Sequence, residues 1–334
     1  MHADGGPASL YDPTDTPDSD LWFLPQDSGD VDLSPLPRAD RRVLFDRAEW
    51  LAAQGALSGE LAGLALLFGA LEVGLGAGLR HRLALQEAAA LSWWAGTRMD
   101  AARLALWVGQ HAGGGGEDGQ ALAQAGWAVR KLGSGPGPDR GGWGPGLAAF
   151  LGHASDAVQD VAGVMATMAG LHPVTQGAVL FGAWRVAGQG PGRDMEAAVL
   201  AARLGGAMGR TGTGFLPLAL AGVGGLQAAG PVLGRLAAWI RGAEQSVLAA
   251  LMQVEGVAVW RARAQAVLAD QSGRTPGLLV DLLAEWPMVS APLAEEKTGA
   301  SRAAVQRNLD RMAAKGLIRE VTGQGRYRVW TANV

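Results

Sequence analysis

The chain has 334 residues, 49% of them hydrophobic, a formal net charge of −3 and no cysteine. That length accommodates one large domain and a small one, and the lack of cysteine excludes disulfides, thiolate zinc sites and cysteine nucleophiles. With so small a total charge, the distribution of charge along the chain carries more information than its sum.

Residues 1–37 hold eight aspartates and neither Lys nor Arg. Such a segment buries too little apolar surface to offset its ordering entropy, so a disordered acidic N-terminus is expected. It lacks the basic start and continuous apolar core of a signal peptide. Leu21, Trp22, Phe23, Leu24 and Pro25 form an apolar patch within it that is suited to docking on the folded body.

Residues 38–273 turn to Ala, Leu, Gly and Trp with apolar residues at helical spacing. Helices are predicted over 41–54, 59–73, 79–94, 98–111, 117–132, 146–169, 174–186, 194–208 and 233–269. Strand alternation is scarce, so this stretch reads as an all-α helical body. Glycine-rich breaks fall at 113–116, 133–146, 188–192 and 212–214, and are read as links between helices. Two uncharged runs, 161–184 and 211–234, are long enough to span a bilayer. Pro173 interrupts the first, and Pro217, Gln227 and Pro231 interrupt the second, so both are expected to be buried core helices, with no membrane association.

The body offers little catalytic signal. No glycine loop has the G-x-x-x-x-G-K-[ST] pattern, and the glycines at 188, 190 and 192 follow no predicted strand. The five histidines, at 2, 81, 111, 153 and 172, include no H-x-x-x-H pair, so no metal site is expected. His172, just before Pro173, reads as a helix-start residue. No catalytic residues and no cofactor are assigned.

Residues 274–334 are different. Ser290 can cap a helix running to Thr298 with Pro292 in its first turn, Gly299 can make a turn, and Ser301 can cap a second helix reaching Lys315. In that second helix Val305, Leu309 and Met312 form one buried stripe, and Gly316 ends it. Residues 318–322 and 326–330 alternate about Gly323, Gln324 and Gly325, which predicts a β-hairpin. The order of elements is that of a winged helix-turn-helix. From Ser301 onward there are seven Lys or Arg against two acids, Asp310 and Glu320. That is the electrostatic footprint of phosphate binding. The expected DNA-binding residues are Arg302, Gln306, Arg307 and Arg311 on the helix and Arg326 and Arg328 on the wing. Tyr327 and Trp330 are expected to hold the wing to the helices.

Pro287, Val289, Gly299 and the runs 317–323 and 325–330 resemble the C-terminal winged helix of Fic-type proteins. More closely, the segment resembles the helix-turn-helix domain ending an uncharacterised, often plasmid-borne, bacterial family with an upstream domain of unknown function. Residues 45–59 resemble the start of the same family. One departure stands at Glu295, four residues before the turn glycine, where a small residue is usual; Ala294 can take that place by a one-residue slip. The Fic resemblance implies a phosphate-cradling loop, whose nearest counterpart is 185–193. There Arg185 stands where the catalytic His would be and Gln189 where the acid would be, so nucleotide transfer is not expected.

Together these readings predict a disordered tail over 1–37, a helical domain over 38–273 and a winged helix-turn-helix over 274–334. The expected function is that of a cytoplasmic transcriptional regulator, a homodimer, binding double-stranded DNA. Two alternatives are a degenerate Fic-like nucleotidyl-transferase or toxin-antitoxin component acting through the body, and a scaffold whose winged domain binds protein.

Overall fold

In the computed structural model the described residues are 45–110, 119–188, 190, 192–210, 214–323 and 328–334. The acidic N-terminal segment, with its expected disorder, lies outside them. The body's helices are α1 (Arg47–Ala56), α2 (Ser58–Gly74), α3 (Ala77–Trp94), α4 (Ala101–Gln110), α5 (Gly119–Gly133), α6 (Trp143–Leu151), α7 (Asp156–Thr167), α8 (Pro173–Ala187), α9 (Arg193–Gly205) and α10 (Val232–Val267). Helix starts follow local chemistry: Asp46 caps α1 by accepting from Ala48 N, and Ser155 caps α7 by accepting from Val158 N. His172 is a helix-start residue, its Nδ1 accepting from Val174 N at 3.2 Å ahead of Pro173.

The centre of the body is the pair α8 and α9. Residues 197–202 of α9 are buried on every face, which small side chains permit. A Cβ added at Gly177 of α8 would lie 3.1 Å from Ala201 O, so the two backbones approach closely there. Around this pair the other helices bury Leu64, Phe68, Leu91, Leu104, Leu132, Leu147 and Val164.

Two sequence expectations are corrected. The single helix over 146–169 is two, α6 and α7, because Gly152 adopts a left-handed conformation (φ 90°) and Ser155 starts a new helix. The run 211–234, expected as a buried core helix, contains no helix before Val232 among its described residues. Pro217, Gly222, Gly230 and Pro231 interrupt helical hydrogen bonding, yet Phe215, Leu216, Leu218, Ala219 and Leu226 are buried. Non-helical backbone inside a core needs partners from elsewhere. Glu87, fully buried on α3, accepts from Leu218 N (2.7 Å) and Ala219 N (2.9 Å), and Leu216 N donates to Ala202 O at 2.8 Å. Arg203, 2% exposed, donates to Leu132 O, Gly135 O and Gly214 O, tying the loop after α5 and the start of this segment to α9.

The run 161–184 falls in α7 and α8, largely buried, with the helices separated by residues 168–172. No single helix among the described residues is long and apolar enough to cross a membrane; the bent pair α1 and α2 meets the length and composition test together, at a 73° bend.

A second apolar cluster gathers the C-terminal elements: α11 (Thr275–Glu285), β1 (Val289–Ser290), α12 (Ala291–Thr298), α13 (Arg302–Ala314), β2 (Ile318–Glu320) and β3 (Val329–Ala332). Val257, Trp260 and Ala264 of α10 belong to this cluster, whereas Leu236, Trp239 and Ile240 of the same helix belong to the first. The 36-residue α10 therefore serves both cores. At about 1.5 Å per residue, some 30 Å separates Trp239 from Trp260.

Candidate nucleic-acid interface

The geometry of the C-terminal unit follows from caps and turns legible in the chain. Ser290 Oγ accepts from Leu293 N and Ser301 Oγ from Ala304 N, each at 3.4 Å. Between the two helices Gly299 is left-handed at φ 65°, and Gly316 closes α13 at φ 68°. These are positions where a Cβ is disfavoured. Val305, Leu309 and Met312 are fully buried, each contributing roughly 1.5–3 kcal/mol of apolar burial. Ala294 is fully buried in the second cluster, while Glu295 is half-buried, its Oε1 enclosed and 4.0 Å from Arg302 Nε. The slip resolves the departure noted at Glu295.

The strands form one antiparallel sheet in the order β1-β3-β2. Val289 pairs with Trp330, Ile318 with Ala332 and Glu320 with Trp330. The expected hairpin is shifted: β3 runs to Ala332 rather than ending at Trp330. As the central strand it is buried on both faces, which hides the alternation that locates edge strands. β1, two residues long, carried no sequence signal. Trp330 is fully buried in the second cluster and fastens β3 to the helices; Tyr327 lies outside the described residues.

Opposite the buried stripe, α13 shows Arg302, Ala303, Arg307, Asp310, Arg311 and Ala314, all exposed. Arg307 stands at the middle of this face between the small Ala303 and Ala314. Its guanidinium has no partner among the described residues. Arg302, 81% exposed, has only its distant pairing with Glu295. Arg311 donates to the neutral Gln271 Oε1, and Lys315 Nζ to Val267 O at 3.3 Å. Arg319 projects from β2 and is exposed. None of these contacts cancels the positive charge of Arg307, Arg311, Lys315 or Arg319.

The remaining expected contacts are placed differently. Gln306 Nε2 donates to Asp310 Oδ1 at 2.9 Å, so its amide is engaged along the helix. Arg328 Nε donates to Glu320 Oε2 at 2.7 Å and its Nη1 to Asp310 Oδ1 at 3.1 Å, with the guanidinium 5.0 Å over the Trp330 ring. The hydrogen bond it donates to Glu320 holds the Arg328 pKa above its usual value. Arg328 thus bridges both acids of the segment and clips β3 to α13. Arg326 lies outside the described residues.

Residues 276–332 match the family of the HTH DNA binding domain. The protein carries a helix-turn-helix DNA-binding domain in the unit that presents this cationic face. No curated protein matches the chain. The family match begins within α11, so the resemblance of the upstream body to a domain of unknown function, the plasmid association and the likeness to Fic-type proteins receive no support from it.

Contacts to the body that sequence reasoning missed fix the domain's position. Arg82 of α3 donates to Leu283 O (3.0 Å) and Trp286 O (3.2 Å) at the end of α11, where burial lowers its pKa to about 10. Trp260 Nε1 of α10 donates to Leu317 O at 2.8 Å. A Cβ at Gly78 would lie 2.5 Å from Glu285 O, so glycine is required for α3 to meet α11. Carbonyl-directed contacts of this kind have no residue pattern in a single chain.

Proposed function

We propose that the protein is a cytoplasmic transcriptional regulator that reads double-stranded DNA through a winged helix-turn-helix. In this reading α13 enters the major groove, and the β2–β3 connection is the wing. The observation that carries it is the α13 face, where Arg307, flanked by two alanines and without a partner among the described residues, stands beside Arg302 and Arg311. The alanines keep the helix surface low enough to approach base edges, and arginine suits both guanine edges and phosphates. Arg319 and Lys315 extend the positive surface; Arg328 orients the wing rather than meeting phosphate, because its charge is already matched.

A homodimer fits this reading. Leu248, Met252 and Val259 lie on one face of α10, and Leu66 and Val73 on one face of α2, and these residues are 44%, 73%, 64%, 78% and 85% exposed. α2 and α10 pack on each other. A twofold pair would offer two α13 helices to half-sites about one DNA turn apart.

The deciding experiment is selection of genomic fragments by the purified full-length chain, followed by anisotropy titration of the enriched sequence across salt concentrations. Specific binding is expected, with Arg307→Ala plus Arg319→Ala lowering the salt slope by about two. Absence of any binding at low salt overturns the reading.

A further inference from the structure

A cavity of about 350 Å³ lies in the body, remote in sequence from the DNA-binding domain, between α1, α8, the start of α9, the N-terminal part of α10 and residues 225–228. That volume is at the lower end of the range for small-molecule sites. Its walls are of two kinds. Trp50, Phe181 and Trp239 supply aromatic surface, while Arg185, Arg193 and Arg235 supply charge. No Asp or Glu among the described residues lines it. Arg185 Nε is 2.8 Å from Asp194 Oδ1, and Arg193 Nε is 3.9 Å from the same oxygen, so one carboxylate serves two guanidinium groups. Arg235 has no carboxylate partner among the described residues; its guanidinium lies 5.1 Å over the Trp50 ring.

The unsatisfied polar atoms of these lining residues are all donors. Trp50 and Trp239 are 2% and 4% exposed, and their indole Nε1 atoms, like Nε of Arg193 and of Arg235, have no acceptor among the described residues. Three arginines against one carboxylate among the described residues call for negative charge. We propose that this cavity binds a small anionic molecule with a flat or apolar body, an aromatic or acyl carboxylate, whose oxygens meet the guanidinium groups of Arg235 and Arg193 while its body stacks among the aromatic rings. The charge selects the anion, and the aromatic walls select against a small hydrated anion such as phosphate.

The test is titration calorimetry on the full-length protein with naphthalene-2-carboxylate, its neutral isostere naphthalene-2-carboxamide, decanoate, and inorganic phosphate. Binding of at least one of the two carboxylates is expected. Affinity should fall at least about tenfold for the carboxamide relative to naphthalene-2-carboxylate, or for either carboxylate in Arg235→Gln, since a charge-assisted contact is lost; phosphate should not bind. Arg193→Gln serves if Arg235→Gln does not fold. Equal binding of carboxylate and carboxamide, full affinity in a folded arginine variant, or no binding of either carboxylate overturns the proposal. Calorimetry needs no DNA, so failure here leaves the DNA-binding reading standing.

Discussion

The two apolar clusters strung along α10 use arginine in opposite ways. In the body, Arg203 is buried and directs its guanidinium to the carbonyls of Leu132 at the end of α5 and of Gly135 and Gly214 in loops, and Arg82 does the same for the end of α11. In the C-terminal unit Arg302, Arg307, Arg311 and Arg319 stand on the surface, whereas Arg328 is engaged by two internal carboxylates. The body therefore spends its polar groups on holding irregular backbone in a helical core. The helix-turn-helix needs few such contacts because its turns are short and capped, which leaves its cations available to a ligand. Position in the chain does not reveal this difference, since all are arginines in helical or strand sequence.

The largest effect should come from Arg203→Met. It strips donors from buried carbonyls and should cost about 3 kcal/mol of stability. Chemical denaturation measures this, and a loss under about 1 kcal/mol would erase the contrast between the two regions. DNA affinity of the remaining folded protein should be unchanged.

Glu87 makes a comparable prediction in pH. Burial pushes its carboxyl up to about 7 against the lowering effect of the Leu218, Ala219 and Leu220 N–H groups. The folded state then binds more protons than the unfolded state between the unfolded value, near 4.5, and about 7. Stability should therefore fall as pH rises through that window, by as much as about 3 kcal/mol. Glu87→Gln, which stays neutral, should flatten the dependence of the unfolding midpoint on pH. An unchanged slope would mean that the loop at 218–219 is held by an ionised carboxylate.

On the other side of the comparison, Arg307→Ala should leave stability within about 0.5 kcal/mol of the parent. It should weaken DNA binding about tenfold and lower the salt slope by about one. Arg328→Ala should show the reverse signature: a more modest loss of affinity with the salt slope retained, because it releases Asp310 and Glu320 and loosens β3 rather than removing a phosphate contact. Anisotropy titrations at several salt concentrations distinguish the two, and matching slopes for both variants would show that Arg307 makes no phosphate contact.

Local chemistry in the chain determined much of the architecture by itself. Ser290, Gly299, Ser301 and Gly316 mark the ends of α12 and α13 because capping and left-handed glycine are nearest-neighbour effects, and Val305, Leu309 and Met312 mark the buried face because helical period is local too. The start of α8 at His172 and Pro173 was readable for the same reason, as was the cationic surplus after Ser301. Tertiary structure alone decided what depends on partners distant in sequence. The uncharged run at 211–234 reads as a helix until Glu87 and Arg203, on other elements, supply the hydrogen bonds that let it stay irregular. β1 exists because it pairs with the first residues of β3, and the last residues of β3 because they pair with β2, and burial on both faces erases the alternation that announces a strand. The aromatic and cationic walls of the body cavity come from α1, α8, α9 and α10, up to 189 positions apart between Trp50 and Trp239. The two acids after Ser301 were visible in the chain, but only the fold shows that both meet Arg328 and that Arg307 has no partner among the described residues.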